Sequence, residues 1–503
     1  MKANPAYAQI PVARSEPALR ARNRRPANQR ILRDFARQTT IGLAALTLCG
    51  CGSEQRWAEL PESPFWPGAP SEYSIGIAVA PDPFAIPAVL PELEHPALDA
   101  DSVPDLATAY TADPFLFRDR DRWHMFYELL QTHPRRGCIG WAESVDGRSW
   151  THVGIALAEP FHLSYPHVFE WEGRKLMVVE SYRIGEVRLY EARDFPRDWE
   201  PVATLVRKPL VDPSLVRHND RWWLFASTPN HRDLHLFHSE RLEEGWQEHP
   251  ASPVVRNDLR IARPAGRFLH YQDRLWRVAQ DCYPRYGSAT RLFEIVELAP
   301  ETYADREHPD SPLLRAGLVP WAELGMHHYD ASPMPDDSGH WLVVVDGNRR
   351  AQPAVPLDIR FEDGSMLLGA TLRPAQPRAG DPLLLRLYWK NLPEKDRALV
   401  FAHFLQGRTI LFQGDHDLNE RAEQYDMHIA IPADAPPGPV RVRIGLYRPD
   451  GRRLRSRTRL PRQRRAVSLP VSFDIVRAPS PISSSLRGTD PTDTARAANG
   501  ATD

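Results

Sequence analysis

Ala112-Asp113-Pro114-Phe115-Leu116-Phe117 passes through a short charged turn into Trp123-His124-Met125-Phe126-Tyr127-Glu128. The phrase returns as Ser164-Tyr165-Pro166-His167-Val168-Phe169 leading into Lys175-Leu176-Met177-Val178-Val179-Glu180, and as Val211-Asp212-Pro213-Ser214-Leu215-Val216 leading into Trp222-Trp223-Leu224-Phe225. Ala262-Arg263-Pro264 with Leu275-Trp276-Arg277-Val278 makes a fourth copy. Ala331-Ser332-Pro333-Met334 with His340-Trp341-Leu342-Val343-Val344-Val345 makes a fifth and weakest one. The first four prolines stand roughly 50 residues apart, the length of one propeller blade.

A proline at the head of a strand costs no ladder bond there, and Glu172-Gly173 and Asn219-Asp220 suit tight hairpin turns. Further strands are available after each of the first three copies, such as Gly137-Cys138-Ile139-Gly140-Trp141-Ala142, Val187-Arg188-Leu189-Tyr190 and Leu234-His235-Leu236-Phe237. Even spacing in one phase favours radial repetition over a row of sandwiches. The chain is therefore read as all-β: a five-bladed β-propeller over residues 57–350 followed by a β-sandwich over 355–476. Composition agrees, since 49 prolines in 503 residues suit many short strands joined by turns. A net charge of −2 with no long single-sign block in the main body gives no footing for nucleic acid.

In a propeller the residue that opens each innermost strand faces the central channel. This nominates Asp113, Tyr165, Asp212 and Arg263, with His327, His328 and Asp330 before and in the fifth copy. A lone Asp-Pro is ordinarily a local turn; repetition in phase points Asp113 and Asp212 at a ligand. Glycoside hydrolysis needs one carboxylate as base or nucleophile and one protonated acid, which makes these two the candidate catalytic pair. His162, Tyr165, Arg263, His327, His328 and Asp330 are candidates for binding a carbohydrate or glycoconjugate. Arg263 serves equally to brace a blade against a buried carboxylate, and the histidines serve equally as packing. Three imidazoles can also bind a metal, but their spacing is not diagnostic of one, and neither metal nor cofactor is expected. Glu128, Glu180 and Asp281 lie a strand-length beyond the ring residues and are expected at the opposite channel mouth or bonding turns.

Further landmarks are Tyr73-Ser74-Ile75-Gly76-Ile77, Glu159-Pro160-Phe161-His162-Leu163-Ser164-Tyr165-Pro166, Arg260-Ile261-Ala262-Arg263-Pro264, Ala279-Gln280-Asp281, Gly325-Met326-His327-His328 and Val345-Asp346-Gly347. With Ala112-Asp113-Pro114-Phe115 and Val211-Asp212-Pro213-Ser214 they resemble the N-terminal domain of the glucosamine inositolphosphorylceramide transferases, over a little more than half the chain. That domain is similar in turn to the five-bladed propellers of glycoside hydrolase family 43. The resemblance implies Asp113 as catalytic base and Asp212 as acid, one methylene shorter than that family's Glu, with Tyr165 replacing the Asp that tunes the acid. It implies a glycosidase-like enzyme, which the N-terminal export segment would place on a polysaccharide or glycoconjugate of the cell envelope. A carbohydrate-binding or polysaccharide-assembly protein that has lost its proton donor is the alternative. Transferase activity is not carried over, because the segment after the propeller is short for a nucleotide-sugar domain.

At the N-terminal end, Arg20, Arg22, Arg24, Arg25, Arg30, Arg33 and Arg37 precede an uncharged segment, Thr39 to Gly50, too short to span a bilayer. It ends in Leu48-Cys49-Gly50-Cys51, which resembles the lipobox of bacterial lipoproteins. Residues 1–51 are accordingly expected to direct export, with Cys51 lipidated and the protein held at a membrane of the cell envelope. An ordinary signal peptide, or a buried strand with chance cysteines, is the other reading. Cys138 and Cys282 pair or stay apart. Past the propeller, strands such as Leu383-Leu384-Leu385-Arg386-Leu387-Tyr388-Trp389 and Val440-Arg441-Val442-Arg443-Ile444 predict a sandwich of about seven or eight strands. Asp415-His416-Asp417 reads as a solvated loop, and the arginines from Arg452 to Arg465 as a solvated hairpin. Residues 477–503 read as a disordered tail.

Overall fold

The computed structural model describes residues 71–86, 91–336, 338–392, 398–418, 424–457 and 465–477. The expected export segment with Cys51, and the tail from residue 478, lie outside the described residues.

Strand β1 (Ser71–Ala80) precedes blade I, made of β2 (Thr108–Asp119), β3 (Arg122–Thr132), β4 (Arg135–Ser144) and β5 (Thr151–Leu157). Blade II is β6 (Ser164–Trp171), β7 (Arg174–Glu180), β8 (Val187–Asp194) and β9 (Arg197–Val206). Blade III is β10 (Val211–His218), β11 (Arg221–Ser227), β12 (Leu234–Ser239) and β13 (Gln247–Glu248). Blade IV comprises β14 (Arg263–Pro264), β15 (Leu269–Tyr271), β16 (Arg274–Asp281), β17 (Ala289–Leu298), β18 (Tyr303–Glu307) and β19 (Leu314–Arg315). Blade V has only β20 (Tyr329–Pro333) and β21 (Trp341–Arg350) of its own, and β1 completes it, pairing antiparallel with β21 from Ser71 opposite Arg350 to Ala80 opposite Trp341. The weakest repeat is thus the one that borrows a strand from far away in sequence, and this pairing closes the ring without leaving the blade's edge bare.

Apolar side chains explain why the blades stand in a ring. Each blade strand shows one face to the preceding blade and the other to the next, so both faces are buried and the strand reads as a continuous apolar run. On β11, Trp222 joins Leu176, Val178 and Leu189 of blade II, while its neighbour Trp223 joins Phe268 and Leu275 of blade IV. Corresponding clusters link I with II through Phe126, Trp141 and Met177, IV with V through Trp276 and Val343, and V with I through Val344 and Met125.

The second part is a β-sandwich of two five-stranded sheets. One holds β22 (Val355–Phe361), β23 (Met366–Arg373), β24 (Pro382–Lys390), β28 (Gln424–Ala430) and β30 (Ser456–Arg457). The other holds β25 (Leu399–Gln406), β26 (Thr409–Gln413), β27 (His416–Asp417), β29 (Gly438–Tyr447) and β31 (Val467–Ile475). The ten strands among the described residues exceed the seven or eight expected because β27 and β30 have two residues each, too few to show a period. Asp415-His416-Asp417 is not simply a solvated loop: His416 and Asp417 form β27, and His416 Nε2 lies 2.7 Å from the Tyr425 hydroxyl. Cys138 and Cys282 are free, buried thiols.

Propeller and sandwich pack into one compact unit. At their contact Glu72 of β1, 4 % exposed, takes Arg373 at 2.9 Å and Arg386 at 2.6 Å, and these arginines also hold Asp101 and Asp426. A chain truncated after Val355 is expected to unfold in a single cooperative step, because the ring closes before that point. Water then reaches Glu72, which limits the loss to about 1–3 kcal/mol. Calorimetry checks this; a broad transition without cooperativity would make the sandwich an integral part of the propeller's fold.

Candidate functional site

The first three inner strands share one local device. Asp113, Tyr165 and Asp212, each preceding a proline, adopt φ of 52°, 52° and 51°. In each strand the pairing register slips across that step, between Ala112 and Phe115, Ser164 and His167, and Val211 and Ser214. Such a bulge bends the strand and re-aims one side chain, and Asp tolerates the left-handed region better than most residues. Antiparallel pairing then brings the end of the second strand back to the same level, with Ala112 opposite Glu128, Ser164 opposite Glu180 and Arg263 opposite Gln280. Glu128 and Glu180 therefore stand at the same mouth as Asp113 and Asp212, not at the opposite one as the sequence reading expected. A hairpin returns past its own start, so a residue one strand-length on in sequence is a neighbour in space. Asp281 does bond its turn, accepting from Tyr283 N–H at 2.9 Å.

One cluster centres on Asp346, which accepts backbone N–H groups of Asp113 at 3.0 Å, His327 at 3.1 Å and His328 at 3.0 Å, and faces His327 Nδ1 at 2.7 Å. Burial alone would raise the Asp346 carboxyl, but His327 holds it below its usual value. Burial works likewise against a charged His327, and Asp346 overcomes it, raising the imidazole. His327 Nε2 then faces Asp113 Oδ1 at 3.9 Å, with His328 Nδ1 at 3.7 Å from the same oxygen. Burial, opposed in part by His327, pushes Asp113 up to about 7. Glu128 is raised well above the usual carboxylate range by burial and then by the charges of Asp113 and Asp212. Its Oε1 stands 3.5 Å from both the Tyr110 hydroxyl and His162 Nε2, so no close partner holds it ionised. Asp113, His327 and Asp346 offer ligand atoms within 4.8 Å of one another, a donor set that suits a divalent cation.

The second cluster is an ion pair. Arg263 Nε lies 2.5 Å from Asp212 Oδ2 and Nη2 3.1 Å from Oδ1, while Nη1 lies 2.8 Å from His231 Nδ1. Glu180 Oε2 accepts the Asp212 N–H at 3.2 Å and lies 3.6 Å from Arg263 Nη2. Both Asp212 oxygens accept from one guanidinium, leaving neither to carry a proton to a leaving group. This corrects the acid role that the resemblance implied for Asp212. Arg263 braces blades III and IV.

Two further candidates are spent inside the protein. The Tyr165 hydroxyl, from a residue 1 % exposed, donates to Gly266 O at 2.9 Å, accepts Gly266 N–H at 2.5 Å and touches Ser214 Oγ at 2.7 Å. Asp330 takes Arg267 Nε at 2.5 Å and the Leu116 N–H at 2.7 Å, tying three blades together. Neither is a substrate contact in this arrangement, because each polar atom already has a partner. His328 is fully buried, both ring nitrogens without a hydrogen bond, and burial pushes it down to about 4. His162 remains at the mouth, its Nδ1 accepting the Gly137 N–H at 2.9 Å. Sequence reasoning missed the site roles of Glu128, Glu180, Asp346 and Tyr73, whose ring stacks on His327 at 4.4 Å. One signal was present: Glu128 and Glu180 end the second strands of the first two copies in the same phase.

Residues 88–348 match the family model described as glucosamine inositolphosphorylceramide transferase 1, N-terminal. The chain belongs to this family. It is similar to glucosamine inositolphosphorylceramide transferase 1 of Oryza sativa subsp. japonica, 37% identical over 251 residues that make up 48% of this chain and 33% of that protein. The Arabidopsis thaliana protein of the same name is 35% identical over 253 residues, with the same shares. The chain thus spans about a third of the length of these curated relatives. Among solved structures it is similar to the catalytic domain of the Coprinopsis cinerea GH62 alpha-L-arabinofuranosidase, at 15% identity and TM-score 0.36 over 51% of this chain and 83% of that one. A thermostable family-43 glycoside hydrolase gives 12% identity and TM-score 0.36 over 44% and 82%. Apart from Tyr73, the residues of both clusters fall inside the stretch that matches the glucosamine inositolphosphorylceramide transferase N-terminal family.

Proposed function

We propose that the channel mouth takes a sugar ring of a polysaccharide or glycoconjugate and that Asp113 and Glu128 carry a glycosidase-like hydrolysis there. One observation supports this above the others: a single hairpin brings two buried carboxyls to one mouth in different surroundings. Asp113 faces the His327–Asp346 pair, while among the described residues no Lys or Arg lies within ion-pair distance of Glu128, and burial raises its carboxyl more than Arg135 lowers it. Their difference in environment divides the roles. Glu128 keeps a proton and suits the acid, and Asp113, nearer to titrating at neutral pH, suits the base or nucleophile, with His327 steadying its charge. The locked Asp212–Arg263 pair favours the alternative, a carbohydrate-binding protein that orients sugars without cleaving them.

A glycan array with purified protein, read for both bound sugar and released product, separates the two. Release that is lost in Glu128→Gln supports hydrolysis, binding without release supports the alternative, and neither binding nor release overturns both. The envelope location and lipid at Cys51 belong to the same proposal. Fractionation of a Cys51→Ser variant tests them, and membrane retention unchanged by that substitution counts against the anchor.

A further inference from the structure

The connection that follows β16 in blade IV, residues 282–288, rises at the same mouth as Asp113, because Gln280 near the end of β16 stands opposite Arg263. It is longer than its counterparts in blades I, II and III. It is also clamped. Cys282 N–H donates to Leu259 O at 2.7 Å, Ser288 N–H to Asp281 O at 2.8 Å and Ser288 Oγ to Arg285 O at 2.7 Å, while Arg291 Nε holds Asp281 at 2.9 Å. Gly287, at φ 67°, backs onto His327 so closely that a Cβ there would come within 2.9 Å of the His327 Cβ. A loop fixed at both ends and pressed against the site loses little freedom when its side chains meet a ligand.

The loop carries two tyrosines. Tyr286 is half-buried; its ring leans edge-on against His327, with centroids 5.4 Å apart, and lies 5.0 Å from the Arg263 guanidinium. Its hydroxyl makes no hydrogen bond among the described residues, unlike that of Tyr165, which Gly266 holds on both sides. Tyr283, three residues earlier, is 54 % exposed, and among the described residues no other Phe, Trp or Tyr is exposed. The Arg260 guanidinium covers its ring at 5.0 Å, and its N–H donates to Asp281 Oδ1 at 2.9 Å, so the ring is fixed in water beside the mouth. Three residues of chain reach at most roughly 10 Å, a distance that a short run of linked sugars covers.

We propose that this blade IV connection extends the recess into a second sugar subsite: Tyr286 gives its hydroxyl to the sugar held in the recess, and Tyr283 stacks on the next sugar of the same chain. The C–H face of a sugar lies flat on an aromatic ring while its hydroxyls stay in water, a match for a side chain with an apolar body and a polar tip. Tyrosine also offers that area with few torsions to freeze. The substrate is therefore an oligosaccharide or polysaccharide that runs outward past blade IV, rather than a single sugar. The inference rests on the sugar-binding reading of the recess and adds the class of glycan that it takes.

A glycan array carrying xylose, arabinose, galactose, glucose and N-acetylglucosamine, each as mono-, di- and tetrasaccharide, tests this when probed with rising concentrations of the full chain and two variants. In the series that binds, wild type is expected to hold the di- and tetrasaccharide roughly 2- to 10-fold tighter than the monosaccharide. Tyr283→Ala should erase that gain with monosaccharide affinity and melting temperature unchanged, because the side chain is exposed. Tyr286→Phe keeps the ring and should weaken every length alike, by roughly 2- to 10-fold. Affinity that is flat with length in wild type, or a gain that survives in Tyr283→Ala, overturns the outer half of the subsite. Tyr286→Phe binding as wild type does overturns the inner half, and either result leaves the recess standing. Failure of every sugar to bind overturns the recess reading itself.

Discussion

Asp113→Asn is expected to lower product release by roughly 10²- to 10⁴-fold, the usual contribution of one acid–base group, while the fold is kept. Asn suits the left-handed backbone that this position requires, φ 52°, as well as Asp does. It also keeps the backbone N–H that donates to Asp346. What disappears is a charge, and its loss has a sign in stability. The folded-state value of about 7 lies above the ordinary 3.8, chiefly through burial. The folded chain thus holds this proton more tightly than the unfolded one. The associated stability is complete below about pH 4 and is lost as pH rises through about 7. The variant should therefore gain on wild type between acid and alkaline pH, by an amount on the order of a few kcal/mol at pH 8. Thermal unfolding at both ends of that range, beside product assays, checks the two halves separately. Unchanged product release would remove Asp113 from the chemistry, and a pH-independent stability difference would remove the buried charge.

Asp212→Asn should behave in the opposite way and cost about 3–5 kcal/mol of stability. A sequence reading treats the two Asp-Pro steps alike, and their backbones are alike, with Asp212 at φ 51°. Their surroundings differ. Asp212 is 1 % exposed and takes two bonds from Arg263, itself 7 % exposed. Neutralising it leaves a buried guanidinium whose one remaining carboxylate partner among the described residues is Glu180, at 3.6 Å. Removing one member of a buried pair strands the other, whereas removing both relieves the desolvation. Asp212→Asn combined with Arg263→Gln should hence recover a good part of the loss. A denaturant series on the two single variants and the double variant gives the coupling directly. Additive losses would mean that the contact contributes nothing of its own, and Asp212 would return to the list of free acids.

The repeat made the architecture legible because a blade is a local object. Its proline, its bulge and its aromatic strand lie within about twenty residues, and the bulge is built from the residue before proline. Five copies with apolar strands on both faces leave radial packing as the way to bury them, so the propeller and the residues that open its inner strands could be read directly. The same locality explains the errors. Glu128 and Glu180 were placed at the wrong mouth because the antiparallel return was not followed through the hairpin, although turn and register were both in the sequence. The sandwich was short by the two-residue strands.

The chain's own order of residues determined which side chains stand at the head of each inner strand, since that depends on contacts within one blade. Only the tertiary structure decided which of them remain free to act. Whether a carboxylate is a base or half of an ion pair depends on what the next blade presents across the channel, and those partners are distant in sequence. Asp113 meets Asp346 across 233 residues, Arg263 meets Asp212 across 51, and Tyr165 meets Gly266 across 101. Ring closure by β1 against β21 sets those meetings. It brings blade V beside blade I, and with it the His327–Asp346 pair beside Asp113, because a closed ring gives every blade two neighbours and no blade's sequence names either of them.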